Sequence, residues 1–216
     1  YTKQIINKLL VDANNDLFGQ LISINISIGH GYKPGGEKSW KLNQVKAGGG
    51  VLIDPGIHIL DLLVMLAGTD IEAISGLRYS EFWKTSVEEE CHLLLRSSKV
   101  PIINFQVSVV KWRSTFSLEI YGKKGYGIVN GRGRTYGPQT YIRGKRWAWL
   151  SGEPQRDTEE LITNSNEEDV FEKELRALFF NSPDVIGKIA PSTAENALEA
   201  MRLLSRCRDI LGIKES

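Results

Sequence analysis

Strand patterns follow one another along the middle of the chain, and this succession limits the folds open to it more than any other feature. Three apolar-rich stretches are predicted strands: 71–79, 87–96 and 101–110. Alternation continues at 116–120, and Gly122–Gly125 is a predicted hairpin turn. Arg143-Gly144-Lys145 is predicted to form a second hairpin, joining Thr140–Ile142 to Arg146–Leu150. Consecutive strands joined by short turns pair antiparallel, which predicts a large, mostly antiparallel sheet.

Helical patterns flank these strands on both sides. Apolar residues recur at helical spacing between residues 3 and 13, and a leucine-rich helix is predicted to end near Gly68. Between them, residues 22–28 alternate as a strand does. Two helices are predicted to close the chain, one capped by Asn166 and one begun by the capping box Ser192-Thr193-Ala194-Glu195. The predicted fold class is α+β: a large, mostly antiparallel (mixed) sheet with helices packed on one face.

Length and composition are those of an ordinary folded domain. The chain has 216 residues, against roughly 100–200 for one domain, so a single domain over 1–216 is predicted. Its 27 Lys+Arg and 26 Asp+Glu leave a net charge of +1, which removes the basic field that non-specific nucleic-acid binding needs. No apolar run approaches the ~20 residues that cross a bilayer. Cys91 and Cys207 suggest neither a disulfide scaffold nor a zinc site, so we expect a cytoplasmic protein without nucleic-acid or membrane partners.

The segment from Gly48 to Asp61 carries the groups best suited to chemistry. Gly48, Gly49 and Gly50 are consecutive, and a backbone without Cβ atoms can approach another group closely. Asp54 and His58 are four residues apart, which places them on one face of a helix, with Asp61 one turn further.

Pro55 leaves the start of this helix open. Either Asp54 is the N-cap and Pro55 the first helical residue, or a helix that starts near Gly50 is kinked at this point. His58 then lies near a helix start or break, where the positive end of the helix favours a neutral imidazole. Three interpretations are open: Asp54 only caps a helix and His58 fills the core; both bind a metal with Asp61; or both serve in acid/base catalysis.

The same segment resembles the signature of a known family. The run Gly-Gly-Gly-x-x-x-Asp-x-Gly-x-His-x-x-Asp, preceded by Trp40 and followed by a leucine-rich helix, is similar to the start of the C-terminal, substrate-binding domain of Gfo/Idh/MocA oxidoreductases. Leu118–Gly125 is similar to the family's Glu-Ile-Tyr-Gly-x-x-Gly hairpin. Phe171–Leu175, followed by Pro191-Ser192, resembles its C-terminal helix pair. The resemblance extends over the chain after Gly19.

The resemblance implies an enzyme of two halves. A Rossmann domain binds NAD or NADP, and an α+β domain of this kind holds a sugar, sugar nucleotide or cyclic polyol for hydride transfer at a carbinol carbon. The Rossmann half is missing, because no Gly-x-Gly-x-x-Gly follows an opening strand, and Lys33-Pro34 is not the family's Glu-Lys-Pro motif. Since the chain begins at Tyr1, we expect a fragment of a longer protein, inactive by itself. The alternative is a non-catalytic sugar-binding or sensory module that retains the fold.

Carried over residue by residue, the resemblance implies roles for the whole segment. His58 would exchange a proton with the substrate hydroxyl, and Asp54 would orient or polarise it. Gly48–Gly50 would border the nicotinamide and the substrate, and Trp40 with Lys41 would lie at the substrate cleft. No metal is expected at the site.

Two further predictions lie outside the motif. Lys111 and Arg113, at a strand end, could meet a sugar phosphate or carboxylate, although a solvated strand edge is the simpler interpretation. The resembling enzymes cover the second face of the sheet with another subunit, so we expect a homo-oligomer that buries Trp147 or Trp149.

Overall fold

The computed structural model describes residues 4–146, 159–163 and 193–213. The helices of these residues are α1 (Gln4–Asn14), α2 (Gln44–Ala47), α3 (Gly56–Ala67) and α4 (Ala194–Ile210). The strands are β1 (Leu21–Gly31), β2 (Glu72–Tyr79), β3 (Glu90–Arg96), β4 (Ile102–Ser108), β5 (Val110–Gly122), β6 (Gly125–Asn130), β7 (Thr140–Lys145) and β8 (Glu160–Thr163). One-turn 3-10 helices lie at Gly36–Lys38, Trp40–Leu42 and Arg134–Tyr136.

The eight strands form one sheet in the order β2-β3-β4-β1-β5-β6-β7-β8. The pairing of β1 with β4 is parallel, and every other pairing is antiparallel. The alternation of residues 22–28 places Ile24, Ile26 and Ile28 on the buried face of β1, the strand at the centre of the sheet. The predicted α+β class with a mostly antiparallel, mixed sheet is therefore confirmed.

The helices cover the face on which these isoleucines lie. Leu60, Leu62 and Leu63 of α3 are buried in the same core. Helix α4 packs on α3 and on β2, and α1 packs beside α3, β6 and β7. Burial of these side chains supplies the main stabilising term of the domain.

The opposite side of the sheet is polar along its centre. It carries Asn25 and Gln106 together with the exposed apolar side chains of Leu77, Leu94 and Ile102. We call this side the open sheet face.

The hairpin predicted at Arg143-Gly144-Lys145 is wrong. These residues continue β7, and Gly144 pairs with Tyr126 of β6. A Cβ at Gly144 would lie 2.4 Å from Cζ of the Tyr126 ring. The glycine therefore makes room for a cross-strand aromatic ring and does not turn the chain.

Two helix starts also differ from their predictions. Neither predicted start of α3 is correct: Pro55 precedes its first residue, so Asp54 is not the N-cap, and residues 51–55 form turns, so no helix starts near Gly50. The early amides of Gly56 and His58 donate to the carbonyl oxygens of Val51 (2.8 Å) and Pro55 (3.2 Å). Backbone turns thus provide what a side-chain cap would have provided.

For α4, the N-cap is Thr193, one residue later than the predicted Ser192. The Thr193 side chain accepts the N–H of Asn196 at 3.2 Å. The helix predicted from Asn166 and the side chains of Trp147 and Trp149 lie outside the described residues.

Several loops meet at one end of the sheet. Strands β1, β4 and β6 run in the same direction, so the residues that follow β1 and β6 lie at the same end as those that precede β3 and β5. Helix α3 begins near this end, since the loop before it is hydrogen-bonded to the residue two before β3. The sequence-predicted site falls here.

Candidate functional site

Each of the three glycines before α3 is required by a different feature of the structure. Gly48 has a φ of +77° and ends α2, a conformation that glycine adopts without the steric cost of a side chain. A Cβ at Gly50 would lie 2.1 Å from the carbonyl oxygen of Glu88, and one at Gly49 would lie 2.9 Å from Cδ1 of Ile53. The close approach predicted from this run is thus made, at Gly50, to the protein's own backbone.

A buried carboxylate holds the loop that carries Asp54. Glu88 is 2% exposed, and its Oε1 accepts the N–H groups of Gly50 at 3.0 Å and Leu52 at 3.1 Å. The N–H of Val51 donates to the Glu88 carbonyl oxygen at 3.0 Å. Three consecutive amides are fixed in this way, two by a charge-assisted contact of the stronger kind. The loop reaches Asp54 two residues later.

A second buried carboxylate, that of Glu89, holds the loop before β3 on its other side. Its two oxygens accept the N–H groups of Phe82 (2.8 Å), Trp83 (3.0 Å) and Thr85 (3.3 Å), together with the Thr85 hydroxyl. Adjacent glutamates therefore anchor two different loops at this end of the sheet.

Asp54 forms an ion pair with one of the predicted cleft residues. The Lys41 Nζ donates to Oδ2 of Asp54 at 2.5 Å, and the two side chains are 44% and 46% exposed. The hydrogen bond to Asp54 raises the pKa of Lys41 above its usual value, so Lys41 remains a cation. The ion pair joins two residues that are 13 positions apart in the sequence. The sequence analysis had assigned both of them to the site only through the family resemblance.

His58 lies near this pair, on the first turn of α3. Partial loss of hydration lowers the pKa of the imidazole below its usual value, and the positive charge of Arg132 lowers it further, while Asp54 and Asp61 act in the opposite direction. A neutral imidazole near pH 7 was expected from the helix terminus. The direction agrees, but the leading causes are dehydration and Arg132.

Two tyrosines complete the cluster. Burial raises the pKa of Tyr32, which Lys41 lowers and Asp54 raises. Burial also raises the pKa of Tyr136, which Arg132 lowers and Asp54 raises.

Asp54 thus interacts electrostatically with Lys41, His58 and both tyrosines. We call this group, with Arg132, the Asp54 cluster. It combines one carboxylate, one neutral imidazole, two hydroxyls and two cations at the edge of solvent, which is a set able to bind a polar substrate and to move a proton.

Trp40 lies beside the cluster, in a groove of about 290 Å³. The groove is lined by Glu37, Lys38, Ser39, Trp40, Leu42, Asn43, Lys46, Trp83, Lys84 and Thr85, and we call it the Trp40 groove. Trp40 is 59% exposed, so its ring is accessible to a ligand.

The two predicted residues of β5 lie apart from the cluster. Lys111 Nζ donates to Oγ of Ser27 (2.9 Å), Oγ1 of Thr115 (3.3 Å) and Oε1 of Gln106 (3.4 Å), which places it on the open sheet face. Arg113 is exposed on the same strand. The described contacts do not bring either residue to Asp54 or His58.

Sequence reasoning missed Tyr32, Arg132, Tyr136 and Glu88. The first three follow β1 and β6, which are about 100 residues apart in sequence, and only the sheet topology joins them. Glu88 offered a signal, because three consecutive glutamates are unusual at the start of an apolar strand.

Two absences hold for the described ranges. There, no three His, Cys, Asp or Glu side chains are placed to hold a metal ion, so Asp54, His58 and Asp61 do not form the metal site considered above. No helix within residues 4–146 or 193–213 is long and apolar enough to span a membrane.

The fold and the cluster together define a class of α+β domain: a mixed sheet backed by helices, with a polar cluster at one sheet end. Residues 11–127 match the model of the Gfo/Idh/MocA C-terminal domain. The chain therefore belongs to the Gfo/Idh/MocA C-terminal domain family. No curated protein matches the chain.

Solved structures share this fold at low identity. A 3-ketoreductase from Actinomadura kijaniata, in complex with NADP and TDP-benzene, has a TM-score of 0.70 at 18% identity, covering 95% of this chain and 58% of the enzyme. The aldose-aldose oxidoreductase of Caulobacter crescentus, with glycerol, has a TM-score of 0.73 at 17% identity, covering 95% of this chain and 57% of the enzyme. The chain thus spans under three fifths of the length of these enzymes.

Proposed function

We propose that this chain is the substrate-binding domain of an NAD(P)-dependent oxidoreductase that acts on the CH–OH group of a sugar, sugar nucleotide or cyclic polyol. The observation that carries the proposal is the Asp54 cluster, in which His58 has a lowered pKa and interacts with the Asp54 carboxylate, which is itself paired with Lys41. Family membership and the oxidoreductases that share the fold support it.

The proposed chemistry assigns proton movement to this chain. As the carbinol carbon loses its hydride and the carbonyl group forms, the hydroxyl proton passes to a ring nitrogen of His58. Asp54 stabilises the imidazolium that results, and Lys41 orients Asp54 through the 2.5 Å contact. The tyrosine hydroxyls of the cluster are suited to hydrogen-bond the other sugar hydroxyls.

Only part of the contact surface that NAD(P) would need is found on the described residues of this chain. Bound NAD(P) supplies the hydride acceptor. Gly48 is half-buried with its carbonyl oxygen held by Arg208 at 3.2 Å, while Gly49 and Gly50 are buried against the protein. This loop could border a nicotinamide, but no described strand-to-helix turn carries a glycine-rich phosphate cradle. We therefore assign dinucleotide binding mainly to another domain.

Turnover on a panel of sugars tests the proposal in the protein at its natural length. His58→Ala should lower kcat by about 10²–10⁴-fold, as loss of a positioned acid/base group does. His92→Ala is the matched control, because His92 is exposed and bonded to Glu90 on the open sheet face. Wild-type kcat in folded His58→Ala protein would contradict the assignment.

We also propose self-association through the open sheet face. Leu77, Leu94 and Ile102 are exposed there, and a second subunit would remove this apolar surface from water. Light scattering at tens of micromolar should detect a dimer or larger species, which Leu77→Lys should weaken. A purely monomeric wild-type protein would contradict this part of the proposal.

A further inference from the structure

The Trp40 groove is positively charged. Its lining contains Lys38, Lys46 and Lys84 against the single carboxylate of Glu37. All three lysines are exposed, and none of them forms an ion pair with any other described residue. The whole chain has a net charge of only +1, so this excess of cations is a local property of the groove.

Two indole rings accompany the lysines. Trp83 is a fixed wall, because its Nε1 donates to the carbonyl oxygen of Val109 at 3.1 Å and its ring meets Phe82 and Tyr32 edge-on at 5.0 and 6.1 Å between centroids. Trp40 is the more exposed of the two. Lysines and open aromatic rings together suit an anionic group carried next to a ring.

The loop that supplies Lys84 is held in place before any ligand binds. Glu89 accepts the amides of Phe82, Trp83 and Thr85, on either side of Lys84. Lys84 itself has a φ of +53°, a conformation that non-glycine residues adopt at a cost. A preorganised loop loses less conformational entropy when it binds.

The groove adjoins the candidate active site. Trp40 precedes Lys41 in the same 3-10 turn, and Trp83 contacts Tyr32. Lys41 and Tyr32 are both members of the Asp54 cluster. A ligand could therefore lie in the groove at one end and reach the Asp54 cluster at the other.

We propose that the Trp40 groove binds the phosphate or diphosphate group of an anionic sugar substrate, with an adjacent ring packed on Trp40. This rests on the proposed function and narrows its substrate class to phosphorylated carbohydrates. A groove of about 290 Å³ has room for such a group and part of one ring. The phosphate belongs either to a sugar phosphate or to a nucleoside-diphosphate sugar.

Binding of UDP and of glucose 6-phosphate tests the proposal, with the full-length protein saturated with NADP so that the dinucleotide site is filled. Lys46→Gln and Lys84→Gln should each weaken binding of the preferred probe by about tenfold. Lys99→Gln is the matched control, since Lys99 is an exposed lysine in the turn at the opposite end of β3. The affinity should fall as salt is raised.

Trp40→Ala distinguishes the two sources of phosphate. A nucleoside-diphosphate ligand predicts that UDP binds more tightly and that Trp40→Ala weakens it. A sugar-phosphate ligand predicts that glucose 6-phosphate binds more tightly, with a stronger dependence on the lysines than on Trp40. Either result supports the proposal. It is overturned if neither probe binds, or if Lys46→Gln and Lys84→Gln weaken binding no more than Lys99→Gln does.

A comparison of turnover separates this inference from the proposed function. If neutral sugars are oxidised as well as phosphorylated ones and the lysine variants affect both equally, the groove assignment fails and the proposed function stands. If the lysine variants lose probe binding but no sugar is turned over, the groove assignment stands and the proposed function fails.

Discussion

Replacing the buried Glu88 or Glu89 by glutamine should destabilise the protein to different extents, because the two carboxylates use their oxygens differently. Both N–H groups bound by the Glu88 side chain go to Oε1, and its Oε2 accepts no hydrogen bond from any described residue. A glutamine could keep its carbonyl oxygen at the Oε1 position and turn its NH₂ away. At Glu89 both oxygens accept main-chain N–H groups, so one end of a glutamine side chain must oppose a donor with a donor.

The expected free energies follow from these contacts. A hydrogen bond to a charged group contributes about 1.5–3 kcal/mol. Glu88→Ala loses two such bonds and should lower the free energy of unfolding by about 3–6 kcal/mol. Glu88→Gln keeps both acceptor contacts and should cost about 1 kcal/mol. Glu89→Gln loses at least one contact and gains a donor–donor clash, so it should cost at least about 1.5–3 kcal/mol.

Urea unfolding of purified protein, followed by tryptophan fluorescence, measures these differences. In folded protein, Glu88→Ala should also lower kcat, because the loop that positions Asp54 loses its anchor, and Glu88→Gln should restore most of it. The reasoning is refuted if Glu88→Gln destabilises as much as Glu88→Ala, or if Glu89→Gln is as mild as Glu88→Gln.

Two further predictions concern pH and backbone space. If neutral His58 is the base, kcat/KM should fall as the pH drops through its lowered pKa. Because Arg132 lowers this pKa and Asp54 raises it, Arg132→Met should move the fall in kcat/KM to higher pH and Asp54→Asn should move it to lower pH. Identical pH profiles for the three proteins would contradict the assignment. Gly50→Ala would place a methyl group 2.1 Å from the carbonyl oxygen of Glu88. It should lower the melting temperature more than Gly48→Ala, whose only cost is a side chain at a positive φ. Equal losses of melting temperature would contradict the close packing at Gly50.

Local patterns predicted most of the sheet. The alternating isoleucines of β1 face the core as expected, and Gly122–Gly125 joins β5 to β6. Gly144 misled the prediction, because a glycine that clears space for a ring on the neighbouring strand looks the same in sequence as one that turns the chain. Cross-strand packing of this kind depends on a partner 18 residues away and on register.

The candidate site was predictable in its contiguous part only. Asp54 and His58 lie in one run, and their neighbour Lys41 was found by resemblance. Arg132 and Tyr136 follow β6 and enter the cluster only because β1 and β6 run in the same direction in the sheet. The sequence therefore could not predict that Arg132 lowers the pKa of His58. It did predict a lowered pKa, from the position of His58 near a helix start.

Chemical rescue tests the central claim, that His58 moves the substrate proton. The measurement is kcat of folded His58→Ala protein on a turned-over sugar, with and without added imidazole. We predict a loss of about 10²–10⁴-fold that imidazole partly restores in proportion to its neutral fraction, with no effect of imidazole on the wild-type protein. A variant that keeps wild-type kcat would contradict the claim, as would a loss that imidazole does not relieve in protein that still binds its substrate.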